Sequence, residues 1–159
     1  MKFLIRPVRK TDKPWIDRAL LDRWGSTNVV TRGIIHAANE LPGFIAETEK
    51  RLVGLLTYRL DYSSCEIISL DSFIKNQGIG SALLHTVEHE AKEKGCHRIW
   101  LVTTNDNIHA LRFYQRRGYV LSVVHPRAIE ISRQLKPQIP LIGNEGIPIR
   151  DEIEFEKRL

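Results

Sequence analysis

At 159 residues, with 42% hydrophobic and 27% charged side chains, the chain has the size and composition of one soluble domain with its own core. No run approaches the ~18 apolar residues of a membrane span, and the apolar stretch in residues 1–7 is too short for an export signal. Two cysteines, Cys65 and Cys96, without such a signal suit a reduced, cytoplasmic protein rather than a disulfide framework, and a net charge of +5 suits an anionic partner. The basic residues never run beyond adjacent pairs such as Arg116-Arg117, which favours a solvated surface or a small anion over a nucleic-acid groove.

In chain order, residues 3–8 read as a strand. Asp12 caps a helix to about Trp24, with Pro14 in its first turn, Ile16, Ala19, Leu20 and Trp24 on one face, and Gly25 at its end. Residues 26–43 are ambiguous: 29–31 look extended, while 34–40 fit a short helix. Residues 44–49 and 52–60 are strands joined by the turn Lys50-Arg51. A second turn at 61–64 leads into a strand over 66–73, and connections this short make the three an antiparallel meander.

The period then changes to 3.6. Ile79, Leu83, Leu84, Val87 and Ala91 form an apolar helical stripe, with Glu88/Lys92 and Glu90/Lys94 as pairs outside it and Gly95 as the stop. A strand over 99–102 completes a strand–helix–strand unit long enough for a parallel crossover. Asn107 caps a third helix carrying Ile108, Leu111 and Tyr114, ended by Gly118, and 119–124 return as a strand. Pro126 starts a further helix with Ala128, Ile131 and Leu135 on one face. The prolines and glycines from Pro137 to Pro148 then impose an irregular loop, which serves either function or cover. In the last strand Ile153 and Phe155 alternate with Glu152, Glu154 and Glu156, as in a half-buried strand. The fold class is α+β: a mixed, mostly antiparallel sheet with one parallel βαβ crossover and helices on both faces. No internal repeat or linker divides it.

The stretch Lys75-Asn76-Gln77-Gly78-Ile79-Gly80 places two glycines at a helix start. Such a start either makes a tight turn or brings a phosphate against free N–H groups at the positive end of the helix dipole. A Walker loop is excluded because no Gly-Lys-Ser/Thr follows, and a dinucleotide fingerprint lacks its third glycine. The element order and two motifs resemble the GNAT superfamily of acyl-CoA-dependent N-acyltransferases. Its pyrophosphate loop, Gln/Arg-x-x-Gly-x-Gly/Ala, is matched here with lysine in the first place. Its Asn-x-x-Ala-x-x-Leu/Phe-Tyr-x-x-x-Gly-Phe/Tyr motif is matched by Asn107, Ala110, Phe113, Tyr114, Gly118 and Tyr119. The resemblance covers roughly residues 3–125 and the final strand.

It implies an N-acetyltransferase that moves an acetyl group from acetyl-CoA to a primary amine of a small molecule or peptide. Gln77, Gly78, Ile79, Gly80 and Ser81, led by Lys75 and Asn76, would wrap the pyrophosphate. Leu70, Asp71 and Ser72 would line the pantetheine arm, with Asn107, Ala110 and Phe113 on the cofactor side. Tyr114 would be the general acid for the leaving thiolate. Glu66 is the base suggested by the family, with Asp71 the runner-up, although strand alternation puts Asp71 on the opposite face from Glu66 unless a bulge intervenes. The acceptor pocket falls to residues 29–36 and 137–151, where Arg32 can hold a carboxylate and Glu145 or Asp151 an amine. Cys65 has no catalytic partner and reads as a packed thiol, His85 and His89 read as surface residues, and no metal is implied. No membrane or nucleic-acid partner is expected, and a homodimer is compatible. A CoA-binding regulatory module and a basic nucleic-acid-binding protein are the alternatives. Thiol release separates the enzyme from the first, and salt-dependent binding that CoA does not displace would mark the second.

Overall fold

The computed structural model describes all 159 residues, and its contacts divide them into two compact units. The first holds residues 1–29 and 37–99 with Leu159; the second holds residues 30–36 and 100–158. The strands form a mixed, mostly antiparallel sheet with one parallel pair, as the sequence led us to expect.

In the first unit, β1 (Leu4–Pro7), β4 (Gly43–Glu47), β5 (Leu52–Asp61) and β6 (Ser64–Ser72) lie side by side in that order, all antiparallel. Helix α1 (Lys13–Trp24) packs Ile16 and Leu20 against Ile45, Leu55 and Ile68 on one face. Helix α2 (Ile79–Glu93) covers the other face, burying Ile79, Leu83, Leu84, Val87 and Ala91, the five residues of the predicted stripe. Gly54 is the contact point: a Cβ there would stand 2.6 Å from the Ile79 side chain and 3.1 Å from that of Leu83, so α2 sits directly on the strand.

Asp12 precedes α1 as expected, but its carboxylate does not cap the helix. It accepts two bonds from the Arg6 guanidinium, both 2.8 Å, and one from the Arg9 backbone N–H at 2.7 Å. A partly buried cation on β1 outcompetes the helix end, because a charge-assisted pair is stronger than a bond to a neutral amide.

Residues 34–40 are not a helix. Two short strands, β2 (Asn28–Thr31) and β3 (Ile34–Ala37), form a hairpin through Arg32-Gly33, followed by a single 3-10 turn (Ala38–Glu40). Both turn residues have positive φ, 52° and 70°, the geometry that matches the twist of hairpin strands. Asn-Gly or Asp-Gly is the usual signal for this turn, and Arg-Gly hides it.

The second unit carries β7 (Arg98–Thr104, from Trp100 onward), β9 (Glu152–Arg158) and β8 (Val120–His125), with β9 in the middle. Helix α3 (Ile108–Gln115) buries Ala110 and Tyr114. Helix α4 (Ala128–Leu135) departs from expectation: it buries Ile129 and Ser132, whereas Ile131 and Leu135 are exposed. Arg127, at φ 59°, leads into the helix. The last strand is also not half-buried. Glu152 and Glu154 are 2% and 7% exposed, because hydrogen-bond partners from elsewhere in the unit cover the acidic face.

Candidate active site

The first unit brings together Glu66, Leu70, Asp71 and Ser72 on β6 with the loop Lys75, Asn76, Gln77 and Gly78 and the first helical residues Ile79, Gly80 and Ser81. Lys75 through Gly78 are exposed, and Asn76 and Gly78 have positive φ, 58° and 75°. Gly78 occupies the N-cap, where no side chain caps the helix, and the first turn of α2 holds no acidic residue. A helix of this length therefore presents its first N–H groups and the positive end of its dipole to the loop. The donor set suits an anion.

Strand β6 carries a bulge that overturns simple alternation. Thr57 lies opposite Ser69, yet Tyr58 lies opposite Ile67, so Ile68 is an extra residue. Ile68 packs with the α1 face, and Ser69 also points there, since its hydroxyl bonds Thr57 Oγ1 at 2.6 Å and Thr57 shares a face with Leu55. Two successive residues on one side bring Glu66 and Asp71 onto the same, α1-facing side of the sheet. Asp71 accepts a 2.8 Å bond from Trp24 Nε1 of α1, and burial pushes its carboxyl above the ordinary range, against the opposing pull of Trp24 and Arg23. Glu66 is buried and lies 3.4 Å from the Arg59 guanidinium on β5. Cys65 is fully buried, which pushes its thiol up to about 12 and leaves no thiolate for catalysis. His85 and His89 sit on exposed α2 positions beside Glu88 and Glu93, and no cluster of three His, Cys, Asp or Glu side chains could hold a metal.

The second unit carries Arg32, Asn107, Ala110, Phe113, Tyr114, Glu145 and Asp151. Asn107 caps α3, its Oδ1 accepting from the Ala110 N–H at 3.0 Å while its amide donates to Thr103 Oγ1 at 3.1 Å. Phe113 is overlaid by the Arg117 guanidinium, 3.8 Å from its centroid. Tyr114 is held edge-on by Phe113 and Tyr119 and lies against Phe155, so its ring position is fixed on three sides. Arg32 stacks its guanidinium over Trp100 at 5.1 Å, and its backbone N–H donates to both oxygens of Glu152, at 3.2 and 3.1 Å. Asp151 is already committed, accepting from the Arg127 N–H and from Arg150 Nε. Glu145 projects from the 3-10 turn Asn144–Gly146 with φ 56° and makes no contact with a partner.

Several polar residues of this unit escaped sequence reasoning. Glu152 is buried beneath the β2–β3 turn, and burial raises its carboxyl against the N–H of Arg32. Glu154 receives His125 Nε2 at 3.2 Å. Thr31 and His36 bond each other at 3.0 Å inside the hairpin. Asn105 and Asp106 fasten the turn after β7 to the far end of the long connection. Asn105 Oδ1 accepts from the N–H groups of Arg150 and Asp151, its amide donates to Pro148 O, and its own N–H donates to Asp151 O. Asp106 Oδ2 accepts from both the backbone and the side-chain amide of Asn144, each at 3.0 Å. Gly143 is required there, since a Cβ would fall 2.0 Å from that same oxygen. The only sequence signal was a buried-strand glutamate pair two residues apart, which reads equally as a solvated face.

A family model described as the acetyltransferase (GNAT) family matches residues 9–119. The uncharacterized protein YdhI of Bacillus subtilis (strain 168) is 46% identical over 156 residues, 98% of each chain. In fold the chain is similar to the IAA acetyltransferase from Bacillus cereus ATCC 14579, with a TM-score of 0.78 and 21% identity over 99% of this chain and 100% of that one. It is also similar to a GNAT family acetyltransferase from Elizabethkingia anophelis with acetyl-CoA bound, with a TM-score of 0.70 and 20% identity over 99% and 98% of the two chains.

Proposed function

The chain belongs to the GNAT acetyltransferase family, and from that premise we propose that it transfers an acetyl group from acetyl-CoA to a primary amine by direct attack within a ternary complex. The observation that carries this reading is the uncapped, acid-free start of α2 behind an exposed loop whose Asn76 and Gly78 take positive φ. Gln77, Gly78, Ile79, Gly80 and Ser81 hold the pyrophosphate through backbone N–H groups, and Lys75 adds a positive charge. The bound acetyl-CoA found in the Elizabethkingia anophelis neighbour supports the choice of donor. When bound, the coenzyme supplies an activated thioester, and positioning and proton handling fall to the protein.

An amine is protonated in neutral water and must lose a proton before it attacks. We assign that proton to Asp71 in preference to Glu66: Arg59 holds Glu66 as an ion pair, whereas burial pushes the Asp71 carboxyl above its ordinary range, in the direction a general base needs. Trp24 Nε1–H fixes one Asp71 oxygen. The backbone N–H groups of residues 70–72 polarise the thioester carbonyl. As the C–N bond forms and the C–S bond breaks, Tyr114 donates its phenolic proton to the departing sulfur. Arg32 and Glu145 are the acceptor-recognising residues, since the Asp151 carboxylate is taken up within its own loop.

A screen of polyamines, amino acids, aminoglycosides and peptides, read by free-thiol release from acetyl-CoA, tests the reading. Turnover of one class is expected. CoA binding without turnover of any class would assign the chain to a regulatory module instead.

The base assignment makes a pH prediction. Rate should fall as pH drops through the raised Asp71 value, and Asp71→Asn should remove that limb together with most of the activity. Stability moves the other way. The folded carboxyl has the higher pKa, so protonating it favours the folded state, and acidification through that window adds stability at this group. Parallel rate and melting profiles therefore distinguish loss of the base from acid unfolding.

A further inference from the structure

We propose that Glu152 is a positioning residue for acceptor recognition, a role that rests on the acetyl transfer proposed above: it fixes the β2–β3 turn so that Arg32 receives the carboxylate of an amino acid with an apolar side chain. Arg32 has φ 52°, a conformation that glycine and asparagine adopt readily and arginine does not. Strain of this kind persists where the surroundings over-determine it, and it collects at ligand sites. Here Glu152 supplies the constraint. Its carboxylate, buried at the start of β9, accepts the Arg32 N–H with both oxygens, at 3.2 and 3.1 Å. The buried Ser132 hydroxyl of α4 is a second hydrogen-bond partner. Both donors are neutral. A buried carboxylate held by neutral donors costs the fold more than an apolar residue of the same size would, so packing alone does not account for it.

What Glu152 aims is the Arg32 side chain. Its bond goes to the main chain, which leaves the guanidinium to a ligand: Arg32 is exposed, and its guanidinium carbon lies over the Trp100 ring, 5.1 Å from the centroid. Trp100 is itself buried, so the stack rests on a fixed surface. A guanidinium held through its backbone and its face presents paired N–H donors that match a carboxylate. The flank of this cation is apolar. A Cβ at Gly33 would lie 3.5 Å from Ile131 Cγ2, so α4 abuts the turn, and Ile131 and Ile34 are 57% and 48% exposed. A carboxylate next to an apolar side chain is the chemistry of leucine and its kin. Polyamines and aminoglycosides carry further positive charge and would meet an exposed arginine on a chain of net charge +5.

Calorimetry with N-acetyl-leucine, the product of leucine acetylation, and with N-acetyl-leucinamide reads the site without turnover. The acid should bind and the amide should bind far more weakly. Arg32→Ala and Glu152→Leu should each weaken binding of the acid roughly tenfold, the scale of one lost charge-assisted contact. In turnover, both should raise KM for leucine by a similar factor while kcat and the KM for acetyl-CoA hold, and both should erase the preference for leucine over leucinamide. The double variant should lose no more than either single one, since the two residues act as a unit. Glu152→Leu fills the vacated volume, so its melting temperature should hold or rise. A residue serving only the fold would instead lower melting and leave the preference intact. Glu152→Gln keeps one acceptor oxygen and should give an intermediate loss. Equal binding of the acid and the amide by the wild type overturns the proposal, as does full preference for the acid in a folded Glu152→Leu or Glu152→Gln variant. If Arg32→Ala loses the preference and both Glu152 variants keep it, the positioning role alone falls and the acceptor reading survives. If the acid binds as expected and no amine is acetylated, acetyl transfer falls and the Arg32–Glu152 site stands.

Discussion

Gly80→Val leaves the protein folded and removes its stabilisation by CoA. In a helix each Cα–Cβ bond tilts towards the N-terminus, so a side chain at the second residue of α2 points at the N–H groups that open the helix. Glycine keeps that space clear, and a branched Cβ fills it. With coenzyme at a hundred times its dissociation constant, binding stabilises the wild type by about 2.7 kcal/mol, a melting shift of roughly 5–10 °C for a chain of this size. The variant should show no shift, while its own melting changes only slightly, because the position is partly exposed rather than core and the small helix-propensity difference by itself favours valine over glycine. An undiminished shift would mean that the α2 start does not hold the pyrophosphate, and the donor assignment would fall with it.

Tyr114→Phe lowers kcat by roughly 10- to 1000-fold and leaves the acetyl-CoA dissociation constant unchanged, as loss of a single general acid requires. The substitution deletes one oxygen. Its ring keeps its contacts with Phe113, Tyr119 and Phe155, so the α3 packing survives. Single-turnover thiol release is the measurement, because a slow product step would mask the chemistry. Unchanged single-turnover rates would leave Tyr114 with packing alone as its role.

The glycine-opened start of α2 and the Asn107 cap of α3 were legible because their geometry is local. Gly78 at an N-cap and Asn107 bonding the Ala110 N–H need only neighbours within four residues. The α2 stripe was legible for a related reason, since period 3.6 writes its buried face directly into the sequence. What was not legible depends on partners distant in the chain. The Ile68 bulge is set by packing against α1 and by the Thr57–Ser69 bond, and without it Glu66 and Asp71 read as facing apart. Glu152 and Glu154 have the alternation of a solvated face and are buried by a backbone N–H at position 32 and a histidine at 125. Asp12 had the right residue type and position for a helix cap, and Arg6 on β1 claimed it.

The fastening of Asn105 to residues 148–151 has a bearing on how the chain folds. Its bonds join positions as much as 46 residues apart, so they act as a polar cross-link closing a long loop without a covalent bond. Closing a flexible loop of that length costs about 3 kcal/mol by the logarithmic law. Four hydrogen bonds, at about 1 kcal/mol net each, offset that cost with little surplus. Closure at Asn105 then belongs to the late stages of folding, after β9 has paired with β8, when most of the intervening chain is already ordered and the remaining entropy to lose is small.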